Sequence, residues 1–272
     1  MTRARTGFAI LAISGLVMAA GCSQGSGGQP STTTDVTSDV TTGTPPPAIS
    51  PLTGQRVSHN PVVAVKIDDT ANGRPQEGID KADLVYVEQV EGGLTRLMAI
   101  FNRSLPTVQP VRSVRPSDPE LALQFGHIIF VASGGSRSGI APLDQSPLRP
   151  VINDRGGPGF SRDPSRPAPY NLRANLTRIT AKTKGPKADS IGLTWSTTQS
   201  TGRSRPGRSV RTQVGGTPVR FDWNPRMHRY QRIIDGNVQH AADAKVVATP
   251  NVIVQFCRVT TYSKDRDVLG NP

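Results

Sequence analysis

Four carboxylates in two neighbouring segments have the types and spacing that acid–base chemistry requires. Asp68 and Asp69 end an apolar run, residues 61–69, and a Gly-containing loop follows them. Glu88 and Glu91 lie in the next β-rich run. Glycoside hydrolysis uses two carboxyl groups, and carboxylates at a strand end can also bind a cation. These four are candidate acid–base or cation-binding groups, although Asp also serves turns and helix caps.

Three arginines are candidates for binding an anion. Arg96 stands in a run that is apolar on both faces, and an arginine in a buried strand needs an anionic partner. Arg112 and Arg115 lie between two prolines, where a polyproline-like turn of three residues would align them. Gly134 and Gly135 follow another apolar run, and the backbone N–H groups of such a loop can bind anions. The alternative for this loop is a plain turn.

Two β-rich runs position several of these side chains. Residues 84–91 and 94–101 are separated by Gly-Gly, which predicts a hairpin because glycine tolerates the positive φ of tight turns. Because its second run is apolar on both faces, that strand is expected to be central and covered on both sides. Arg96 then has two interpretations: a cross-strand ion pair with Glu88 or Glu91, or an arginine and a carboxylate lining a pocket.

The next elements are a short helix and a strand. Ser117 and Glu120 fit a capping box, which predicts a helix over residues 119–125. An apolar strand is expected at 127–132, before the Gly/Ser loop. A second short helix is expected at 175–182.

The N-terminal segment predicts export and lipidation. Residues 1–22 have basic residues, an apolar stretch too short for a comfortable membrane span, and small residues before Cys22. This pattern is typical of a bacterial lipobox, in which Cys22 carries the lipid; ordinary secretion is the alternative. Residues 23–50 are rich in Ser, Thr, Gly and Pro and predict a disordered tether. The expected location is extracytoplasmic, lipid-anchored to the bacterial cell membrane.

The folded part is expected to have two domains. Residues 51–195 form the first, 196–214 a basic linker, and 215–272 a β-rich second domain. Strands are predicted in the second half at 217–223, 228–234, 237–242 and 251–259. Cys257 lies in the last of these, and a buried, inert thiol is expected there.

The positive charge is concentrated in one third of the sequence. Residues 155–232 contain sixteen basic and three acidic residues, a net of +13, whereas the full chain carries +12. Such a block attracts anionic lipid headgroups or wall polymers, or is simply a solvated surface. No nucleic-acid motif is present, and the four histidines lack metal-ligand spacing, so no nucleic-acid partner, metal or cofactor is expected.

Several motifs in a fixed order resemble the YerB-like bacterial lipoproteins, a family of unknown function. The matching residues are VKIDD at 65–69, RPQEG at 74–78, ADLVY at 82–86, EGGLTR at 91–96, PVRSVRP at 110–116, SGG at 133–135, APYNL at 168–172 and NVIVQ at 251–255. The resemblance extends from Pro51 onward and implies a two-part domain on the outer face of a bacterial membrane. It implies no catalytic residues, and it implies a shortened second domain, because relatives continue for several more strands.

Together these features predict an α+β protein. Its first domain has a mixed or antiparallel sheet with few helices, and its second is smaller, β-rich and incomplete. The predicted function is a binding or structural module for an anionic envelope ligand such as a glycan or wall polymer. The alternatives are a carboxylate-dependent glycan hydrolase or transferase, and a truncated remnant without activity.

Overall fold

The computed structural model describes residues 48–196 and 206–260. The strands, in chain order, are β1 Val63–Asp68, β2 Leu84–Gln89, β3 Thr95–Phe101, β4 Thr107–Val108, β5 Ile129–Ala132, β6 Arg149–Ile152, β7 Phe160–Arg162, β8 Leu172–Asn175, β9 Ser209–Val214, β10 Thr217–Asn224, β11 Arg229–Ile234, β12 Asn237–Val238 and β13 Ala248–Thr249. The α-helices are α1 Asp118–Leu123, α2 Arg137–Gln145 and α3 Leu176–Lys182. The predicted signal sequence, Cys22 and the tether up to residue 47 lie outside the described residues.

The first sheet is mixed, with the strand order β2-β3-β1-β5-β6. β3 pairs antiparallel with both β1 and β2, whereas β5 pairs parallel with β1 and β6. The predicted hairpin between β2 and β3 is confirmed, and its turn places Gly92 at φ 65 and Gly93 at φ 72. Only glycine adopts such angles without strain, so the Gly-Gly dipeptide fixes this turn.

Both faces of the first sheet are covered, as predicted for β3. Leu97, Ala99 and Phe101 pack into one hydrophobic cluster, and Met98 and Ile100 pack into the other. Because side chains alternate along a strand, an apolar strand with two buried faces sits in the middle of a layered domain. The sheet is therefore a rigid platform for the polar groups at its end.

Helices α1 and α2 lie over the face that carries Met98 and Ile100. Ser117 does not cap α1, so the predicted capping box is wrong: Ser117 has helical backbone angles, and its side chain bonds no backbone N–H of the helix. The Asp118 carboxylate instead accepts a hydrogen bond of 2.6 Å from the backbone N–H of Arg115. The start of α1 is thus tied to the arginine-bearing segment before it.

The opposite face is covered by a second sheet and by α3. This sheet has three antiparallel strands in the order β4-β8-β7, and α3 follows β8 directly. Val108, Leu172, Ala174, Leu176 and Ile179 belong to the same cluster as the inward residues of β1. The predicted helix at 175–182 is confirmed as α3, with the Asn175 side chain accepting from the backbone N–H of Arg178.

The third sheet contains β9 to β13 and makes the second half of the chain β-rich. Its order is β12-β11-β10-β9, with β13 also paired to β11. The predicted strands at 217–223 and 228–234 are confirmed as β10 and β11. β9 lies inside the segment that was predicted to be a linker. It was not predicted as a strand because polar side chains, Arg211 among them, alternate with its apolar residues on the exposed face.

The prediction of a strand at 251–259 is wrong. Residues 251–260 carry no helix or strand, and Cys257 is exposed and free rather than buried. Ile253 is 77% exposed and Phe256 is 95% exposed, so the apolar pattern finds no sheet to join within the described residues. An apolar run becomes a buried strand only when neighbouring strands supply its hydrogen bonds.

The predicted α+β class is confirmed: a sheet-rich first part with few helices is followed by a separate β-rich region. Among the described helices, none has the length and hydropathy that a membrane crossing requires.

Candidate functional site

The polar groups gather at one end of the first sheet. Arg96 pairs in register with Asp68 on one side and with Glu88 on the other. Lys66 is two residues before Asp68, so the side chains of all four project to the face covered by α1 and α2. On this one face of the sheet, the side chains are apolar toward one end and charged toward the other.

A buried trio forms the inner part of this row. Lys66 is fully buried, and its ammonium lies 2.8 Å from Asp118 Oδ1 and 3.2 Å from Glu88 Oε1. Burial alone would lower the pKa of Lys66, but Asp118 and Glu88 outweigh burial, and the pKa is raised. Lys66 therefore stays charged.

The pKa of Glu88 differs from that of an ordinary carboxylate. Burial raises its pKa to about 8, the Lys66 charge opposes that rise, and the nearby Asp118 charge adds to it. At neutral pH Glu88 is mostly protonated, so it contacts the Lys66 ammonium as a neutral carboxyl group. This arrangement stabilises the contact between β1, β2 and α1.

The outer part is the arginine cluster, which we define as Arg96, Arg112 and Arg115. Arg112 Nη1 donates to Asp68 Oδ2 at 2.8 Å. Arg115 Nη2 donates to Glu91 Oε2 at 2.7 Å, and its Nε also lies against that carboxylate. The Arg112 side chain is 18% exposed, so solvent reaches the cluster. Two of its three arginines therefore already hold a carboxylate.

Arg96 is the exception. Among the ion pairs of the described residues none includes Arg96, and its closest polar contact is a long one of 3.5 Å to the backbone carbonyl of Ser113. Burial lowers its pKa to about 10, the charges of Arg115 and Arg112 act in the same direction, and the charges of Glu91 and Asp68 oppose the shift. Arg96 is a guanidinium that the protein only partly compensates.

The predicted cross-strand ion pair of Arg96 is wrong. Glu88 contacts Lys66, and Glu91 is paired with Arg115, so neither acidic side chain nearest in sequence forms an ion pair with Arg96. Lys66 was not among the predicted site residues, although it stands in an apolar run as Arg96 does. The reasoning applied to Arg96 would have identified it.

Asp68 and Asp69 hold other groups in place. Asp68 Oδ1 accepts hydrogen bonds from the backbone N–H and the hydroxyl of Thr70, at 2.7 Å and 2.5 Å. Asp69 accepts two bonds from Arg232, at 2.7 Å and 2.6 Å, and a third of 2.7 Å from the Thr95 hydroxyl. Arg232 was not among the predicted site residues, because its partner, Asp69, lies in another sheet and far away in the sequence. Both aspartates act here as ion-pair partners.

The Gly134–Gly135 loop does not offer an open anion site. A side chain at Gly134 would collide with the Asp154 carboxylate, and one at Gly135 would lie 2.6 Å from Val114 Cγ1. The glycines therefore allow close packing, and an anion at Gly134 would meet a negative charge. This geometry argues against the predicted anion contact of the loop.

A separate cleft of about 410 Å³ is lined by residues outside the arginine cluster. Its lining includes Glu77, Asp163 and Arg173, and Arg173 pairs with both acids. The lining as a whole has three acidic and two basic side chains, so the cleft carries no excess of positive charge for an anion. In the described part of the chain, no group of three or more His, Cys, Asp and Glu side chains is arranged to hold a metal ion.

Comparison with known proteins identifies the family. A family model described as "Protein of unknown function (DUF3048) N-terminal domain" matches residues 50–189, which is more than half of the chain. The protein named "Putative lipoprotein YerB" of Bacillus subtilis (strain 168) is 42% identical over 92 residues, which cover 32% of this chain and 28% of that protein. This chain thus aligns with under a third of that relative's length.

A solved structure extends the likeness to the fold. The crystal structure of YerB protein from Bacillus subtilis superposes with a TM-score of 0.62 and 27% identity, over 74% of this chain and 72% of that one. The resemblance inferred from the motifs is confirmed. The chain belongs to the DUF3048 family, the YerB-like proteins, whose function is unknown.

Proposed function

We propose that this protein is a cell-envelope lipoprotein whose folded part binds an anionic ligand, a glycan or wall polymer, through the arginine cluster. The relative named as a lipoprotein supports an envelope location. Export by residues 1–22, lipidation at Cys22 and spacing by the tether are parts of the same proposal.

The incomplete pairing of Arg96 carries the proposal. The cluster holds three guanidinium groups and two carboxylates, Asp68 and Glu91, a net charge of +1; both carboxylates attract Arg96 but form their ion pairs with Arg112 and Arg115. A partly buried charge costs free energy unless it is paired, so an incoming anion gains more here than at an exposed arginine.

The chemistry of the cluster favours oxyanions. A guanidinium presents a planar fork of donors that matches a carboxylate or phosphate, and charge-assisted hydrogen bonds are the strong ones. The hydroxyls of Ser113 and Ser133 lie 3.4 Å apart, and Ser113 is the residue whose carbonyl contacts Arg96. Because one hydroxyl of this pair donates to the other, the pair can supply one further donor next to the residue that Arg96 contacts.

The four candidate carboxylates do not favour glycan hydrolysis. Asp68, Asp69 and Glu91 are each paired with an arginine, and Glu88 is enclosed with Lys66. A glycosidase needs an acid and a base facing the same substrate bond. Binding is the function that this geometry supports best.

Retention on envelope fractions tests the proposal. The purified protein is applied at low and high salt beside Arg96→Gln and a matched control, Arg178→Gln, in which an exposed arginine of α3 loses the same charge. We expect retention that weakens with salt and that Arg96→Gln reduces about tenfold, because a charged hydrogen bond is removed. Equal retention of Arg96→Gln and Arg178→Gln would reject the cluster as the binding site.

A further inference from the structure

The hairpin between β10 and β11 ends in an exposed apolar tip, residues 223–230. Trp223 pairs with Tyr230, and the four residues 225–228 that join the strands are all exposed. Trp223 is 37% exposed and Met227 is 39% exposed. Single exposed apolar side chains are common, but two large ones at one hairpin tip form a small apolar surface.

The Trp223 ring is held in place. It packs edge-to-face against Tyr230 with ring centroids 5.0 Å apart, and against His228 at 6.3 Å. The Tyr230 hydroxyl donates to the backbone carbonyl of Gly207 at 2.7 Å. An indole fixed in this way is presented in one orientation and retains an exposed part.

Uncompensated arginines surround the tip. Residues 206–234 contain six arginines and a single acidic residue, Asp222. Asp222 is bound by Arg220, and Arg232 is bound by Asp69. The remaining four form no ion pair with any described residue: Arg208, Arg211, Arg226 and Arg229. The surface therefore combines an aromatic and thioether tip with a strong positive charge.

The base of the hairpin is braced against the first sheet. Arg232, on the same strand as Tyr230, binds both oxygens of Asp69 at the end of β1. Gly216 and Thr217, beside the start of β10, donate to the backbone carbonyl of Gly93. These contacts fix the position of the hairpin relative to the first sheet, so its tip is a rigid contact surface.

We propose that the hairpin tip contacts the membrane, with Arg226 and Arg229 on anionic lipid headgroups and Trp223 and Met227 among the upper acyl chains. Trp and Tyr favour the bilayer interface because one part of the ring is apolar and another forms hydrogen bonds. Basic side chains are attracted to anionic leaflets within a Debye length. A wall polymer would bind the arginines, but it would offer no apolar surface for the exposed Met227. This inference does not depend on the arginine cluster.

Local fluorescence tests the proposal without relying on how the N-terminus binds. The chain has two tryptophans, Trp195 and Trp223, so full-length protein with Trp195→Phe reports on the tip, and Trp223→Phe provides the background. Each protein is mixed with brominated vesicles of phosphatidylcholine alone or of phosphatidylcholine and phosphatidylglycerol in equal parts. We expect about twofold or greater quenching of Trp223 by the anionic vesicles and little by the neutral ones.

Charge variants complete the test. In the Trp195→Phe background, Arg226→Gln with Arg229→Gln should abolish the quenching, whereas Arg162→Gln with Arg178→Gln, two exposed arginines elsewhere, should retain it. Circular dichroism verifies that both double variants are folded. The proposal is overturned if Trp223 is not quenched, if both double variants behave alike, or if a purified anionic wall polymer shifts Trp223 emission while vesicles do not.

Discussion

At the scale of single residues, the protein treats its buried cations in two ways. Lys66 is enclosed with Asp118 and Glu88, whereas Arg96 forms no ion pair with a described residue and lies near two like-charged arginines and two carboxylates, Glu91 and Asp68, that bind those arginines. Removing one partner of a buried charge is costly, and we propose that the partly compensated Arg96 is the charge that a ligand would pair with. The two cations occupy the same face of one sheet but serve different purposes.

Removing the charge of Asp118 should destabilise the fold. Asp118→Asn leaves the Lys66 ammonium buried beside a neutral carboxyl group, so we expect the free energy of unfolding to fall by about 3 kcal/mol. Urea unfolding measures the change. Glu120→Gln, an exposed charge on the same helix, is the control and should be nearly neutral. A small effect of Asp118→Asn would mean that the trio is not structural.

The pKa of Glu88 predicts a pH dependence of stability. Its pKa in the folded state, about 8, lies above its ordinary value of 4.5. Between these values the folded chain retains a proton that the unfolded chain releases, so the free energy of unfolding falls as pH rises from 4.5 to 8. Lys66 titrates above this window.

Glu88→Gln isolates this effect, because the amide does not ionise. The fall in stability between pH 4.5 and 8 should be smaller in this variant, measured by urea unfolding across that range. Glu120→Gln should leave the fall intact, since Glu120 is exposed. An identical pH profile for Glu88→Gln and the unmodified chain would contradict the raised pKa.

At the scale of elements, the end of β1 is the junction of the molecule. Asp68 holds Arg112 of the segment before α1, and Asp69, the next residue, holds Arg232 of β11. Because consecutive side chains of a strand project to opposite faces, one dipeptide connects layers on both sides of the sheet. The register of β1 thus positions the cluster and the third sheet together.

The pair between Asp69 and Arg232 should couple the third sheet to the first. A double-mutant cycle with Asp69→Asn and Arg232→Gln should give a coupling energy of about 2 kcal/mol, because the pair is buried and bidentate. The exposed pair between Arg220 and Asp222 provides the comparison, and we expect little coupling there. Similar coupling energies for both pairs would show that burial does not strengthen the pair between Asp69 and Arg232.

The sequence predicts local patterns well and distant partners poorly. The β2–β3 hairpin follows from alternation and Gly-Gly, and the buried setting of Arg96 follows from its apolar neighbours. The partners of Lys66 and Asp69 depend on tertiary contacts across long sequence separations, which no local pattern reveals. Helix α2 was missed because Gly139 and Pro142 disfavour helices, while Leu143 secures it by burial. Cys257 was predicted to be buried in a strand, but residues 251–260 pair with no described strand and the cysteine is exposed.

At the scale of the whole molecule, the two proposed contact sites lie in separate places and both use arginines. The arginine cluster lies at the end of the first sheet and is partly buried, whereas the hairpin tip carries exposed arginines on the third sheet. A ligand at the cluster would be held by paired hydrogen bonds, and a surface at the tip by long-range attraction. The two contacts should therefore respond separately to mutation.

The most direct test of the central claim is nuclear magnetic resonance of the arginine Nε–Hε groups during titration with the retained envelope polymer. We expect the Arg96 resonance to shift with the same saturation as the binding isotherm, because its guanidinium gains the missing oxyanion. The Arg178 resonance should stay in place. Saturable binding that leaves the resonances of Arg96, Arg112 and Arg115 unchanged would contradict the account.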